Sequence, residues 1–170
     1  NENNSVLVIL NTIDDSKLLF KSFLDEGLSK DEIHLLNTHF IPEDRNKKIK
    51  IVKERLEKGL KTILVSTQLI EAGVDIDFPI LYRDFAPISS IVQSAGRCNR
   101  NGKLLSLGKI ILFSLKRNGK KRAELIYGTG KDKDILDFTK QALNKTHYEE
   151  NELLEVQKDF FNRIYNYFVF

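Results

Sequence analysis

Five short apolar runs alternate with helical patterns along this chain, and no other feature restricts its fold as much. Val6-Leu7-Val8-Ile9-Leu10 is continuously apolar, the mark of a strand buried on both faces of a parallel sheet. Ile33-His34-Leu35-Leu36, Thr62-Ile63-Leu64-Val65-Ser66, Ile80-Leu81-Tyr82 and Lys109-Ile110-Ile111-Leu112-Phe113 read as the later strands. Between the first two, Thr12 and Asp15 form a capping pair, Leu19, Phe20, Phe23 and Leu24 follow at helical spacing, and Gly27 ends the helix. A basic amphipathic helix follows Pro42, with Ile49, Val52 and Leu56 on one stripe and Gly59 closing it. Pro87 opens a further helix, and Gly102 follows it. Strands alternating with helices predict βαβ units, hence an α/β fold with a doubly wound parallel sheet and helices on both faces.

The pattern changes after the fifth strand. Residues 116–133 are rich in Lys, Arg and Gly with weak periodicity, and read as a surface loop or hairpin. Two helices are expected beyond it, over 132–144 and 148–168, the last with Leu153, Phe160, Phe161, Ile164 and Phe168 along one side. The expected organisation is therefore an α/β domain over 1–115, and a basic loop with a helical extension over 116–170 packed on the same domain. No internal repeat divides the 170 residues, a length that suits one domain.

Composition excludes several classes. No apolar run approaches the ~18 residues of a membrane span, and no secretory signal opens the chain. The single cysteine, Cys98, excludes an internal disulfide scaffold and fits a cytoplasmic location. His34, His39 and His147 are scattered, and no Cys/His spacing suits zinc. Lys plus Arg is 27 and Asp plus Glu 24, a net charge of +3, which permits nucleic-acid binding only where positive charge clusters. The start at Asn1 and the absence of Met predict a piece of a longer protein.

A parallel α/β sheet places its ligands at the carboxyl ends of its strands, and three segments fall there. Gln93-Ser94-Ala95-Gly96-Arg97-Cys98-Asn99-Arg100, placed on a helix, separates an apolar stripe (Ile88, Ile91, Ala95, Cys98) from a second stripe of Gln93, Gly96, Arg97 and Arg100. Two guanidinium groups and an amide would then face outward, and Gly96 would let a ligand approach closely. Paired arginines suit a polyphosphate, since each offers a planar fork of donors; most arginine pairs, however, are solvated helix faces. In the second segment, residues 66–77, Thr67 could donate to a phosphate, Gly73 permits a turn against a ligand, and Asp75 and Asp77 could accept from ribose hydroxyls or from Arg97 and Arg100. Its plain alternative is a capped loop with two solvated carboxylates. The third is Asn11-Thr12, where a helix start can bind an anion, although simple N-capping explains Thr12 better taken alone. The lysines at 47, 48, 50 and 53 could follow a phosphate backbone, or form a solvated face balanced by Glu54 and Glu57.

In this order the three segments resemble motifs IV, V and VI of superfamily-two helicases, over residues 6–113. Three runs narrow the likeness: Phe40-Ile41-Pro42-Glu43-Asp44-Arg45, residues 70–78, and Gly96-Arg97-Cys98-Asn99-Arg100-Asn101-Gly102. Together they are similar to the helicase part of the CRISPR-associated type I helicase-nuclease. That family usually carries His-Ser-Arg-Phe where this chain has Asn37-Thr38-His39-Phe40, so His39 stands in place of an arginine. The resemblance implies a second RecA-like lobe of an ATP-driven motor on single-stranded DNA. It implies Arg100 as arginine finger with Arg97 beside it, Gln93 positioning the nucleotide and coupling the lobes, Asp75 contacting the ribose or holding the arginine helix, and Gly73 and Gly96 near the nucleotide. Thr12 and Thr67 would contact the nucleic-acid backbone. The implied partners are an N-terminal RecA-like lobe, an HD nuclease domain or protein, and an RNA-guided surveillance complex.

The chain has no Gly-x-x-x-x-Gly-Lys-Ser/Thr phosphate loop and no Asp-Glu pair after a strand to hold Mg²⁺. It also lacks a His-Asp doublet for nuclease metals. The expectation is that this chain alone neither hydrolyses ATP nor cuts DNA, and that a lobe N-terminal to it holds Mg²⁺-ATP. Two other readings remain open at this point: a lobe of another superfamily-two enzyme acting on RNA, and a non-motor module that merely binds a nucleotide or nucleic acid.

Overall fold

The computed structural model describes residues 5–71, 74–98 and 108–168. β1 (Val6–Ile9), β2 (Ile33–Leu36), β3 (Ile63–Ser66), β4 (Ile80–Asp84) and β5 (Lys109–Phe113) form one sheet in the order β2-β3-β1-β4-β5. Every pairing in it is parallel. The continuous apolar runs of β1 and β3 are thus explained by burial on both faces, while Tyr82 of β4 and Leu112 of β5 stay partly exposed.

Register sorts the side chains. Leu7 stands opposite Leu64 and Leu81, and Ile9 opposite Ser66 and Arg83. On this face Leu7, Ile9, Leu36, Leu64 and Leu81 are buried in one cluster with Val52, Ile70, Val74, Ile76 and Phe78. Each such side chain contributes about 1.5–3 kcal/mol by leaving water. Val52 belongs to α2 (Pro42–Glu57), whose Ile49 and Leu56 pack against the same cluster, so the expected stripe is the one that docks. α1 (Ile13–Asp25) leads from β1 out to the edge strand β2, and α2 returns inward to β3. Right-handed crossovers in opposite directions place the two helices on opposite faces. Thr12 caps α1 by accepting from the Asp15 amide at 3.1 Å, and beyond the helix Gly27 takes φ +87°, open to glycine at no steric cost.

Packing divides the chain into two compact units, Asn1–Asp84 with Gln93–Phe113, and Phe85–Val92 with Ser114–Phe170. The boundary runs through α3 (Ile88–Ala95). The second unit contains the hairpin of β6 (Lys116–Arg117) and β7 (Lys120–Lys121), then α4 (Arg122–Tyr127), α5 (Gly130–Ala142) and α6 (Leu153–Phe168). Asn118 and Gly119 have φ of +53° and +74°, the pair of positive values that a two-residue hairpin turn needs. The core of this unit is Ile88, Ala142, Val156 and Phe160, flanked by Val92, Ile135, Phe138, Leu143, Tyr148 and Ile164.

Two expectations need correction here. α4 lies inside the segment expected to be a loop or hairpin; its 6 residues are too few to show a period. Phe161, expected on the inward stripe of the last helix, is 58% exposed, while Val156, Phe160 and Ile164 form the packed line. Their four-residue spacing puts Phe161, the next residue along, on another side.

Candidate functional site

The connection leaving β1 leads to one edge of the sheet and the one leaving β4 leads to the other. Between two such strands the carboxyl ends open a crevice, the usual ligand position in this architecture. A buried polar network occupies this position. Asn11, just past β1, donates from Nδ2 to Asp84 Oδ2 at 2.8 Å, joining the ends of β1 and β4. Arg83, fully buried, donates from Nη1 to Asn11 Oδ1 at 2.8 Å and to the Asp84 carbonyl at 2.8 Å, and from Nε to Ser94 Oγ at 3.1 Å. Its Nη2 lies 3.1 Å from Glu71 Oε1, at an angle outside hydrogen-bond geometry, so that contact is an ion pair. Ser94 donates to the same Glu71 oxygen at 2.8 Å. Arg97 Nη2 donates to the Glu71 carbonyl at 2.9 Å, and Gln68 Nε2 to the Asn11 carbonyl at 3.3 Å. The segments singled out in the sequence therefore meet through side chains that were not singled out: Arg83, Asp84, Glu71 and Ser94.

The third helix is shorter than expected. It ends at Ala95, Gly96 and Arg97 form a turn, and Cys98 pairs with Phe78 as an isolated parallel bridge. The helix therefore does not carry Gly96 and Arg97 on one stripe with Gln93. Gln93 and Gly96 are exposed, but Arg97 is only 9% exposed and turned toward Glu71 rather than outward. The residue that faces inward from the end of the helix is Ser94, not Ala95, because its hydroxyl completes the network. Arg100 and Gly73 lie outside the described residues.

Thr12 is half-buried, and its hydroxyl is engaged in capping α1. Thr67 is 4% exposed, and its carbonyl accepts from the Ile70 amide in the 3-10 turn Gln68–Glu71. Val74, Ile76 and Phe78 are buried in alternation, which turns the intervening Asp75 and Asp77 to the other side. Asp75 is exposed and ion-pairs with Lys53 of α2 at 3.4 Å. Elsewhere on α2, Lys47 pairs with Glu43 and Lys50 with Glu54. His39, at the position where the resembling family carries arginine, accepts at Nδ1 from Lys17 Nζ at 2.7 Å, which brings a cation to that place from α1.

Two groups near these elements have shifted protonation. Burial, assisted by Asp77, pushes the Cys98 thiol up to about 11, which keeps it from acting as a thiolate nucleophile near neutral pH. Burial, with Arg55 and Lys48 nearby, lowers His34 and favours its neutral form. Among the described residues no group of three or more His, Cys, Asp or Glu could hold a metal ion. At the end of α3 the exposed amide of Gln93 and the exposed backbone of Gly96 suit phosphate oxygens in type, whereas the Arg97 guanidinium is turned to Glu71. No helix among the described residues is long and apolar enough to cross a membrane.

A five-stranded parallel sheet carrying these motifs in this order defines the C-terminal RecA-like lobe of a superfamily-two helicase. Residues 2–103 match the family model for the CRISPR-associated nuclease/helicase Cas3, C-terminal, and the chain belongs to that family. A CRISPR-associated nuclease/helicase Cas3 of Methanothermobacter thermautotrophicus is 30% identical over 148 residues, 85% of this chain and 16% of that protein. The crystal structure of T. fusca Cas3-ATP superposes with a TM-score of 0.72 at 20% identity, over 93% of this chain and 20% of that one. A chain of a CRISPR RNA-guided surveillance complex, pre-nicking, superposes at 0.64 with 18% identity, over 92% of this chain and 21% of that one. The chain thus spans about a fifth or less of the length of these relatives.

Proposed function

We propose that the chain is the second RecA-like lobe of a longer ATP-dependent motor that moves on single-stranded DNA in CRISPR interference. The observation that carries this reading is the convergence of Asn11, Glu71, Ser94 and Arg97 at the carboxyl ends of the central strands. ATP, held with Mg²⁺ by an N-terminal lobe, supplies the phosphoanhydride whose cleavage drives movement. This chain's part is positioning and charge. Arg100 presents a fixed positive charge to the terminal phosphate, and Gln93 and Gly96, on the exposed side of the turn, border the nucleotide together with Gly73. Arg97 anchors that turn to Glu71. Asp75 faces the ribose from the exposed side of its segment. The backbones beside Thr12 and Thr67 border the DNA path, since one hydroxyl caps α1 and the other side chain is buried.

The family's name supports helicase and nuclease work by the whole protein; nuclease chemistry would belong to an HD domain or protein outside this chain. Likeness to a chain of a surveillance complex supports recruitment by an RNA-guided assembly. The test is ATP turnover by the full-length protein with and without single-stranded DNA. Arg100→Ala is expected to lower kcat by about 10³-fold or more, the range for arginine fingers, with little change in DNA affinity. An unchanged kcat removes Arg100 from this role, and stimulation by RNA alone would favour an RNA helicase.

A further inference from the structure

We propose that Arg83, Glu71 and Ser94 are positioning residues that couple the DNA side of this lobe to its nucleotide side. The inference rests on the motor reading above and adds to it the part that transmits. Arg83 sits in β4 on the same sheet face as Ile9, in a row that also holds Leu36, Ser66 and Leu112. It is fully buried, and so is the Ser94 it touches. Its one guanidinium reaches Asn11, which precedes Thr12, Glu71, which closes the turn begun at Gln68 after Thr67, and Ser94, three residues before Arg97. Glu71 closes the circuit: one carboxylate oxygen takes both Arg83 and Ser94, and its carbonyl takes Arg97.

A buried ion pair tolerates little displacement, because separating it leaves a charge without solvent or partner. The three segments therefore cannot shift independently. A movement of the β1 end or of the Gln68–Glu71 turn on DNA contact is passed to the turn holding Arg97, through a contiguous set of side chains rather than through the sheet as a whole. A scaffold alone would be served as well by apolar residues at this depth. The ionic and hydroxyl links instead join segments of different duty.

The test uses the full-length protein and reads ATP turnover without DNA and with saturating oligo-dT, together with the half-saturating ATP concentration. Ser94→Ala removes only the hydroxyl that joins Arg83 to Glu71. It is expected to reduce the stimulation by DNA about tenfold, a common size for coupling between sites. The ratio of DNA-stimulated to basal turnover is the quantity that should fall, with half-saturating ATP recorded beside it. Ser94→Thr, which keeps the hydroxyl, should retain stimulation. Glu71→Gln, where it folds, should lose stimulation as Ser94→Ala does. Full stimulation in a folded Ser94→Ala protein would overturn the proposal, as would basal and stimulated rates falling together. Absence of DNA stimulation in the wild type would instead overturn the motor reading, and this inference with it.

Discussion

Charged pairs in two regions of the sheet unit serve opposite ends. Under the carboxyl ends of the strands, Arg83 and Glu71 meet at 0% and 4% side-chain exposure. On α2, Lys47 with Glu43 and Lys50 with Glu54 stand in solvent at 63%/72% and 79%/51%. Water screens the second set, so each pair contributes about 0.3–0.5 kcal/mol as an i,i+4 contact. In the first set both partners are desolvated, so each depends on the other and on the hydroxyl and amide around them. The lesson is that charge balance along a sequence says little about duty. α2 carries four lysines and the described crevice two arginines, yet it is at the crevice that the geometry ties the motif segments together.

The contrast can be broken by substitution. Arg83→Met should destabilise the chain by about 3–5 kcal/mol, since Glu71 would keep a buried charge without its partner. Urea unfolding measures this, and adding Glu71→Leu should restore much of the loss, because replacing both members of a buried pair by apolar groups is often neutral. Thr12→Ala should cost about 1 kcal/mol through the lost cap of α1. The same measurement on Lys47→Ala should show less than about 0.5 kcal/mol. If Lys47→Ala cost as much as Arg83→Met, the difference between the two regions would vanish.

Much of the fold was legible in the sequence because parallel strands buried on both faces write themselves as continuous apolar runs. β2 and β5 fall where those runs fall, and β1 and β3 within one residue at an end. Gly27 and Gly59 stop their helices because positive φ is free only to glycine. The site was legible as three segments but not as a network. Arg83 and Asp84 extend β4 beyond the apolar Ile80-Leu81-Tyr82, so period alone stopped short of them. A charged pair continuing an apolar strand was the signal available. Arg97 was misplaced because a helical wheel was carried through a segment that turns at Gly96, and nothing in the spacing marks that stop. Glu71 lies in a four-residue 3-10 turn, too short to reveal which way its side chain points.

The central claim is that this lobe completes an ATP site it cannot form alone. ATP turnover by the purified 170-residue chain, beside the full-length protein, each with and without single-stranded DNA, tests it most directly. The account predicts no turnover from the chain under either condition and DNA-stimulated turnover from the full-length protein. Robust turnover from the 170-residue chain itself would contradict it.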